Sequence, residues 1–509
     1  MVKLLAMSVL VAVLSFCLAG CTMLGPDYQT PEARVPDAWS EQDSQLFQKP
    51  SVEESVLWWQ QFNDPVLDRL IQAAYEQNLS LRSAGLRIME ARAQQSLVRG
   101  TIWPQSQTMN GDFFTRSTPG SGNNSSYTTA SVGFDAAWEM DFWGKFRRSI
   151  ESADANLLST MADYDDILVS LTAEVARTYI DICTIEERIR LAEKNIELQQ
   201  NGLRLVQDQF DAGTVTKLDL HQAETLLVGT QASIPEMQRS LFIDKHALAL
   251  LLGILPKELG EFFDITEAIP TVDNTVITTI PAALLRRRPD IRRAEMQTAA
   301  QSSQIGIARA ELFPSFTLFG SLGWSANDLG NNELGDIFSS NSFYFSFGPA
   351  FKWNLFNYGR LKNQVRIQDA RLQQLLTNYQ QTVLGAAREV EDSMTSLVYA
   401  HRQAGFLRQG ISSSSKSLEL ALLQYEEGFI DYQRVLDSTR AMIQKQDQYA
   451  KIQGYISTTV VALYKALGGG WQIREGEAYL APEVKKQMQD RTDWGTQLDQ
   501  NVDPEEERQ

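Results

Sequence analysis

The chain is 509 residues long and 43% hydrophobic, with 46 Lys and Arg against 63 Asp and Glu and a formal net charge of −17. That balance argues against nucleic acid and anionic membrane surfaces as partners. It suits an acidic, cation-preferring lumen and, equally, an acidic soluble surface. The length and apolar content allow a large core.

The N-terminus opens with Lys3 and an apolar run from Leu4 to Leu18. About 15 apolar residues are too few for a transmembrane helix and right for a signal-peptide core. Leu18-Ala19-Gly20-Cys21 resembles the bacterial lipoprotein processing signal. The resemblance implies that residues 1–20 are a signal peptide, that cleavage precedes Cys21, and that residues 21–57 form a lipidated segment. The alternative is an ordinary secretory peptide with an incidental cysteine. Each buried CH₂ adds roughly 0.8 kcal/mol of membrane affinity, so several acyl chains, palmitate among them, anchor firmly. Thr22, not Asp, follows the cysteine, which by the same resemblance favours the outer membrane. Cys17 leaves with the signal. Cys183 is then alone and reads as a small core residue in the run Tyr179 to Cys183.

From Pro65 to Gly100 the chain reads as a helix, ended by Trp103-Pro104 because proline disfavours α geometry in the residue before it. Strands follow at 104–116 and 127–142, joined by a Gly, Asn and Ser-rich loop. In the second strand Val132, Phe134, Ala136, Trp138, Met140 and Phe142 alternate with Ser131, Gly133, Asp135, Ala137, Glu139 and Asp141. Successive side chains point to opposite faces, so one face is oily and the other wet. A helix over 144–211 carries the stripe Leu157, Met161, Tyr164, Leu168, Leu171, Val175, Tyr179 and Ile182, the near-3.5 spacing of a coiled-coil seam. At 1.5 Å per residue it spans about 100 Å, and it carries too much charge to sit in a bilayer. It is expected to project into the periplasm. Gly213 suits a left-handed cap and Thr216 the N-cap of a returning helix, 216–252, which Pro235 should kink or break.

After a linker and equatorial segment at 256–280 the pattern recurs, so residues 58–255 and 281–470 are two copies of one unit. The second copy reads as a helix from Pro281 to Ala310, strands 314–325 and 342–356, a long helix 359–426 and a helix 431–467. An offset of 215 residues pairs Ala155 with Ala370, Tyr164 with Tyr379, and Gly213 with Gly428. In its second strand Phe343, Phe345, Phe347, Pro349, Phe351, Trp353 and Leu355 alternate with Tyr344, Ser346, Gly348, Ala350, Lys352 and Asn354. Asp431 suits the N-cap of the last long helix. Residues 471–509 read as a C-terminal equatorial segment and a disordered acidic tail.

A face this aromatic, on strands of about 10–13 residues, fits a lipid-facing barrel. Its lipid-facing residues are Phe134, Trp138, Phe142, Phe345, Phe347, Phe351 and Trp353. Four strands cannot close a barrel, and edges cannot stay unpaired in lipid. The barrel must be shared: two chains give eight strands and almost no pore, which favours three or more, and three give twelve. The fold class is a mixed α and β membrane protein, a transmembrane β-barrel shared between chains and continuous with a periplasmic α-helical coiled-coil barrel, built by internal duplication. Lys145, Arg147, Arg148, Arg360 and Lys362 stand where each second strand becomes a helix. Cations there oppose the helix dipole. Lipid phosphates are the expected compensation, and carboxylates such as Glu151 the alternative.

In combination these features resemble the TolC superfamily of outer-membrane efflux channels, in its lipidated, OprM-like branch. The resemblance rests on Leu18 to Cys21, Gly213 to Leu220, Arg287-Arg288-Pro289-Asp290-Ile291-Arg292, Tyr432 with Val435-Leu436-Asp437, and Leu463 to Trp471. It implies the trimeric, 12-stranded form of that barrel: a homotrimer in the outer membrane, lipid-anchored at Cys21 and reaching into the periplasm, that serves as the exit duct of a tripartite pump. The implied partners are a periplasmic adaptor (membrane fusion) protein, an inner-membrane RND-type transporter and outer-membrane lipid. It implies a periplasmic gate at Asp437 and Arg440, with Gln433 where relatives often carry Leu and Tyr432 as a substitute apolar element. It implies adaptor-docking tips at Gly213, Thr214, Val215 and Thr216, and at Gly428, Phe429, Ile430 and Asp431. The bland alternatives are a surface ion pair worth at most about 1 kcal/mol and plain helix caps.

No Gly-x-x-x-x-Gly-Lys loop, His-Glu-x-x-His pair or Cys/His zinc spacing occurs, so no enzyme, cofactor or metal site is expected. His221, His246 and His401 are scattered on helices. Two other functions fit less well: a channel for type I protein secretion, and a non-conducting structural coiled-coil lipoprotein.

Overall fold

The computed structural model describes residues 22–32, 39–41, 46–47, 57–118, 125–261, 268–272, 282–328 and 334–498. The signal segment, Cys21 and the acidic tail lie outside them. In chain order the main elements are α1 (Pro65–Gln77), α2 (Leu79–Gly100), β1 (Ser106–Thr118), β2 (Ser125–Met140), α3 (Lys145–Asp211) and α4 (Lys217–Leu252). There follow α5 (Pro289–Ala310), β3 (Ser315–Asn327), β4 (Phe343–Lys352), α6 (Arg360–Glu426), α7 (Tyr432–Ala466) and α8 (Pro482–Arg491). Among the described residues no helix is long and apolar enough to cross a membrane. The chain divides into two compact units, one of residues 1–32, 88–160 and 293–379, the other of 33–87, 161–292 and 380–509.

The first unit holds a four-stranded antiparallel sheet in the order β1-β2-β3-β4. Its register lines up the two faces. Met109, Phe134, Leu322 and Phe345 form one cross-strand row, and Gly111, Val132, Trp324 and Phe343 the next. Between them runs the polar row Asn110, Gly133, Gly323, Tyr344. The oily face is open: Met109, Phe113, Phe345, Phe347 and Phe351 are all more than 60% exposed. On the wet face the Asn110 amide donates to Asp135 at 2.7 Å. β2 ends at Met140 and β4 at Lys352, so Phe142 and Trp353 lie beyond the strands that the sequence pattern extended to them. The chain leaves the sheet early because Asp141 turns to cap α3, accepting from the Phe146 and Arg147 amides at 3.1 and 3.0 Å. Three tryptophans tie down this end of the sheet. The indoles of Trp138, Trp143 and Trp353 donate to the carbonyls of Ile102, Pro314 and Leu312 at 3.0, 2.8 and 3.1 Å.

In the second unit the seam of α3 is buried from Met161 through Tyr164, Leu168, Leu171, Val175 and Tyr179 to Ile182. Trp58, fully buried, stacks on Tyr464 with ring centroids 5.5 Å apart. Two sequence expectations are corrected here. The first helix is two helices, because Asn78 adopts extended backbone and its side chain caps α2, accepting from the Leu81 amide at 2.9 Å. Of the kink or break expected at Pro235, the break does not occur: α4 stays helical from Lys217 to Leu252. Buried Leu227 before the proline and Met237 and Leu248 after it hold the helix to its neighbours. That packing outweighs the roughly 3 kcal/mol an interior proline costs.

The Arg288-Pro289-Asp290 motif and the glycines at 468–470 meet in this unit. Arg288 donates to Asp290 at 2.8 Å, to Glu389 at 2.9 Å and to the Ala466 carbonyl. A side chain on Gly468, at φ +73°, would collide with it.

Candidate functional site

The two helix–helix turns are built alike. At Gly213, φ +76°, the Gly213 and Thr214 amides donate to the Phe210 and Gln209 carbonyls at 2.9 and 3.0 Å. At Gly428, φ +77°, the Gly428 and Phe429 amides donate to Tyr425 and Gln424 at 3.0 and 2.8 Å. This paired arrangement closes a helix with a left-handed residue. The restarts differ. Thr216 forms a full capping box with Asp219. Asp431 is the N-cap of α7, as expected, with extended backbone but without a side-chain capping bond.

The turns sort their side chains. Val215 and Ile430 pack inward on a core of Val206, Leu220, Leu418 and Leu436. Thr214, Thr216, Gly428 and Asp431 are exposed, as is Gly213. Leu218 and Phe429 stand out at 65% and 79% exposure.

On α7, Arg440 pairs with Asp437 at 3.4 Å, and the Gln433 amide donates to the same carboxylate oxygen at 3.0 Å. Both charges are about half exposed. Tyr432 does not join them. It is 5% exposed, packed in the core against Tyr425 with centroids 5.1 Å apart, so in this conformation it adds no apolar element beside Asp437. Its ring finds apolar neighbours there that the exposed face of α7 lacks.

Arg440 also borders a groove of about 810 Å³ between α3, α4 and α7, with Arg188, Asn195, Thr230, Met237 and Asp447 in its wall. A charge-assisted bond and an amide–amide bond cross from α3 to α7 here, and a lysine of α7 supports the first. Arg188 donates to Asp447 at 2.6 Å, Lys451 to the same carboxylate at 2.7 Å, and Asn195 to Gln446 at 3.1 Å. Burial works against the Asp447 carboxylate, but the Lys451 and Arg188 bonds outweigh it and hold it below its ordinary value. Sequence reasoning missed this link because its ends lie 259 residues apart.

In the first unit, carboxylates answer the cations where β2 becomes α3. Lys145 meets Glu311 at 2.6 Å, Arg147 meets Asp141 at 3.1 Å, and Arg148 meets Asp27 and Glu151 at 2.7 and 2.8 Å. For these three the expected phosphate is replaced by protein carboxylate. Arg360 and Lys362, at the matching start of α6, are exposed.

An antiparallel sheet with one open oily face, two open edges and paired long helices is the construction of an outer-membrane channel protomer. The chain belongs to the outer membrane efflux protein family, whose profile matches residues 70–254 and 280–469, one stretch in each repeat. The pyoverdine export outer membrane protein OpmQ of Pseudomonas putida is 32% identical over 430 residues, 82% of this chain and 88% of its own length. The probable outer membrane lipoprotein SilC of Salmonella typhimurium is 29% identical over 459 residues, 90% of this chain and 97% of its own. The solved outer-membrane channel OprN superposes with a TM-score of 0.83 at 31% identity, covering 88% of this chain and 100% of that one. The chain is an outer-membrane efflux channel and not an enzyme.

Proposed function

We propose that three copies of the chain close a 12-stranded barrel and form the exit duct of a tripartite efflux pump. The observation that carries this is the sheet. Its oily face is continuous in register, and β1 and β4 are its edges, so lipid burial requires pairing with further copies. The tips at Gly213 to Thr216 and Gly428 to Asp431 dock a periplasmic adaptor, with Leu218 and Phe429 as their exposed apolar contacts. An RND-type transporter in the inner membrane loads the duct and selects its cargo. Asp437, Arg440 and Gln433, repeated by the three-fold axis, form the resting gate. Arg360 and Lys362 meet lipid phosphates.

Acylation at Cys21 anchors the chain. The similarity to SilC, a probable outer membrane lipoprotein, supports this. The Leu24 amide donates to the Trp143 carbonyl at 3.1 Å and Arg148 to the Leu24 carbonyl at 3.1 Å. Those bonds fasten the chain three residues past the cysteine, a reach of about 10 Å, to the end of β2.

The test is native mass in detergent together with conductance in planar bilayers. A trimer that forms ion-conducting openings is expected. A monomer that conducts overturns the shared barrel, and a trimer that never conducts overturns the duct.

A further inference from the structure

We infer that Tyr344 sets the bore of the sheet's wet face by lying flat in a furrow left by two glycines. This rests on the reading of that face as the wall of a water-filled duct. The row Asn110, Gly133, Gly323, Tyr344 crosses all four strands. Side chains ordinarily stand roughly perpendicular to a sheet, and an upright tyrosine would project into the lumen. Glycine on both central strands removes what would block the alternative.

The phenol takes the vacated space. A methyl group on Gly133, two strands away, would lie 2.5 Å from the Tyr344 hydroxyl and 3.5 Å from the ring carbon that bears it. A methyl on Gly323 would lie 3.0 Å from the hydroxyl and nearer still to the Val132 carbonyl and, at 2.6 Å, the Gly133 Cα, so the close approach of β2 also requires glycine there. The ring therefore runs along the row, across β3 to β2, and shields glycine backbone as aromatic residues do in other sheets. Tyr344 is the one aromatic residue on the wet face of β4, whose other members there are Ser346, Gly348, Ala350 and Lys352. It sits at the start of that strand, next to the loop that the duct reading places outside the cell. Laid down, three copies leave the mouth open; raised, they narrow it.

The test reads the mouth without depending on the gate. Ser346, two residues deeper on the same face and exposed, is replaced by cysteine, and intact cells are treated with impermeant maleimides of graded size. In the Ser346→Cys background, Gly133→Ala forces the hydroxyl out of the furrow. It should lower the size of the largest reagent that reacts and slow intermediate ones several-fold. Gly133→Ala with Tyr344→Phe removes the nearest clash, leaves the ring carbon at 3.5 Å and the Leu322 carbonyl at 3.2 Å in both variants, and should restore the original cut-off. Tyr344→Ala should react at least as fast as the unaltered background.

An unchanged cut-off in Gly133→Ala, or a double variant as restricted as the single one, overturns the role of Tyr344. If Gly133→Ala fails to assemble, recovery of trimer yield by Tyr344→Phe supports the clash and absence of recovery overturns it. A Ser346→Cys background that even the smallest reagent cannot reach sinks the duct reading itself.

Discussion

Asp165 is 1% exposed, and its main compensation is Arg474, which donates to both of its oxygens at 2.5 and 3.0 Å, with Arg292 farther off at 3.9 Å. Removing one partner of a buried pair costs about 3–5 kcal/mol; with Arg292 still near Asp165, Arg474→Ala should cost toward the lower end of that range, read as a fall in thermal midpoint. The Asp437–Arg440 pair is the opposite case. It is half exposed and worth at most about 1 kcal/mol, so Asp437→Ala with Arg440→Ala should leave the thermal midpoint nearly unchanged while raising resting conductance. Unchanged conductance would remove both residues from the gate. The sequence shows the second pair and hides the first for one physical reason. Residues three apart on a helix share a face, whereas Asp165 and Arg474 are 309 residues apart and meet only through the fold.

Among the elements, α7 carries the proposed gate pair and is tied to α3 through Asp447. A carboxylate held below its ordinary value contributes stability that is fully present above the unfolded value of about 4 and is lost as pH falls through the lower folded value. Resting conductance of the unaltered channel should therefore rise below about pH 4. Asp447→Asn should already be raised at neutral pH and should lose that acid step; a flat profile in both would show that the link does not restrain α7. The two turns make a separate prediction. Leu218→Asp with Phe429→Asp should abolish co-purification of the adaptor yet leave the trimer intact, because neither side chain belongs to the packed core. The glycines, Thr216 and the seam of α3 were legible because caps and heptads are local rules. The break at Asn78 and the unbroken helix through Pro235 were not, since contacts distant in sequence take part in both: the Asn78 side chain also donates to the Leu251 carbonyl at 2.7 Å, and buried residues on either side of Pro235 hold α4.

For the whole molecule, the sheet divides lipid from water. An arginine at Phe347, on the oily face, should cost about 2–4 kcal/mol if it lies near mid-membrane and lower the yield of assembled channel. An arginine at the adjacent Ser346 should be tolerated because it faces water. Equal yields of the two variants would refute the assignment of faces.

By itself the sequence determined the duplication, the alternating strands and the long helices with their glycine turns. All of these follow from periodicity and cap chemistry. Only the tertiary structure decided which cations find carboxylates, that Tyr432 turns into the core, that Asp447 joins α3 to α7, and that Tyr344 lies over Gly133 and Gly323. Each of those contacts joins residues that no local spacing relates, and each depends on a register and a packing that only the folded chain supplies.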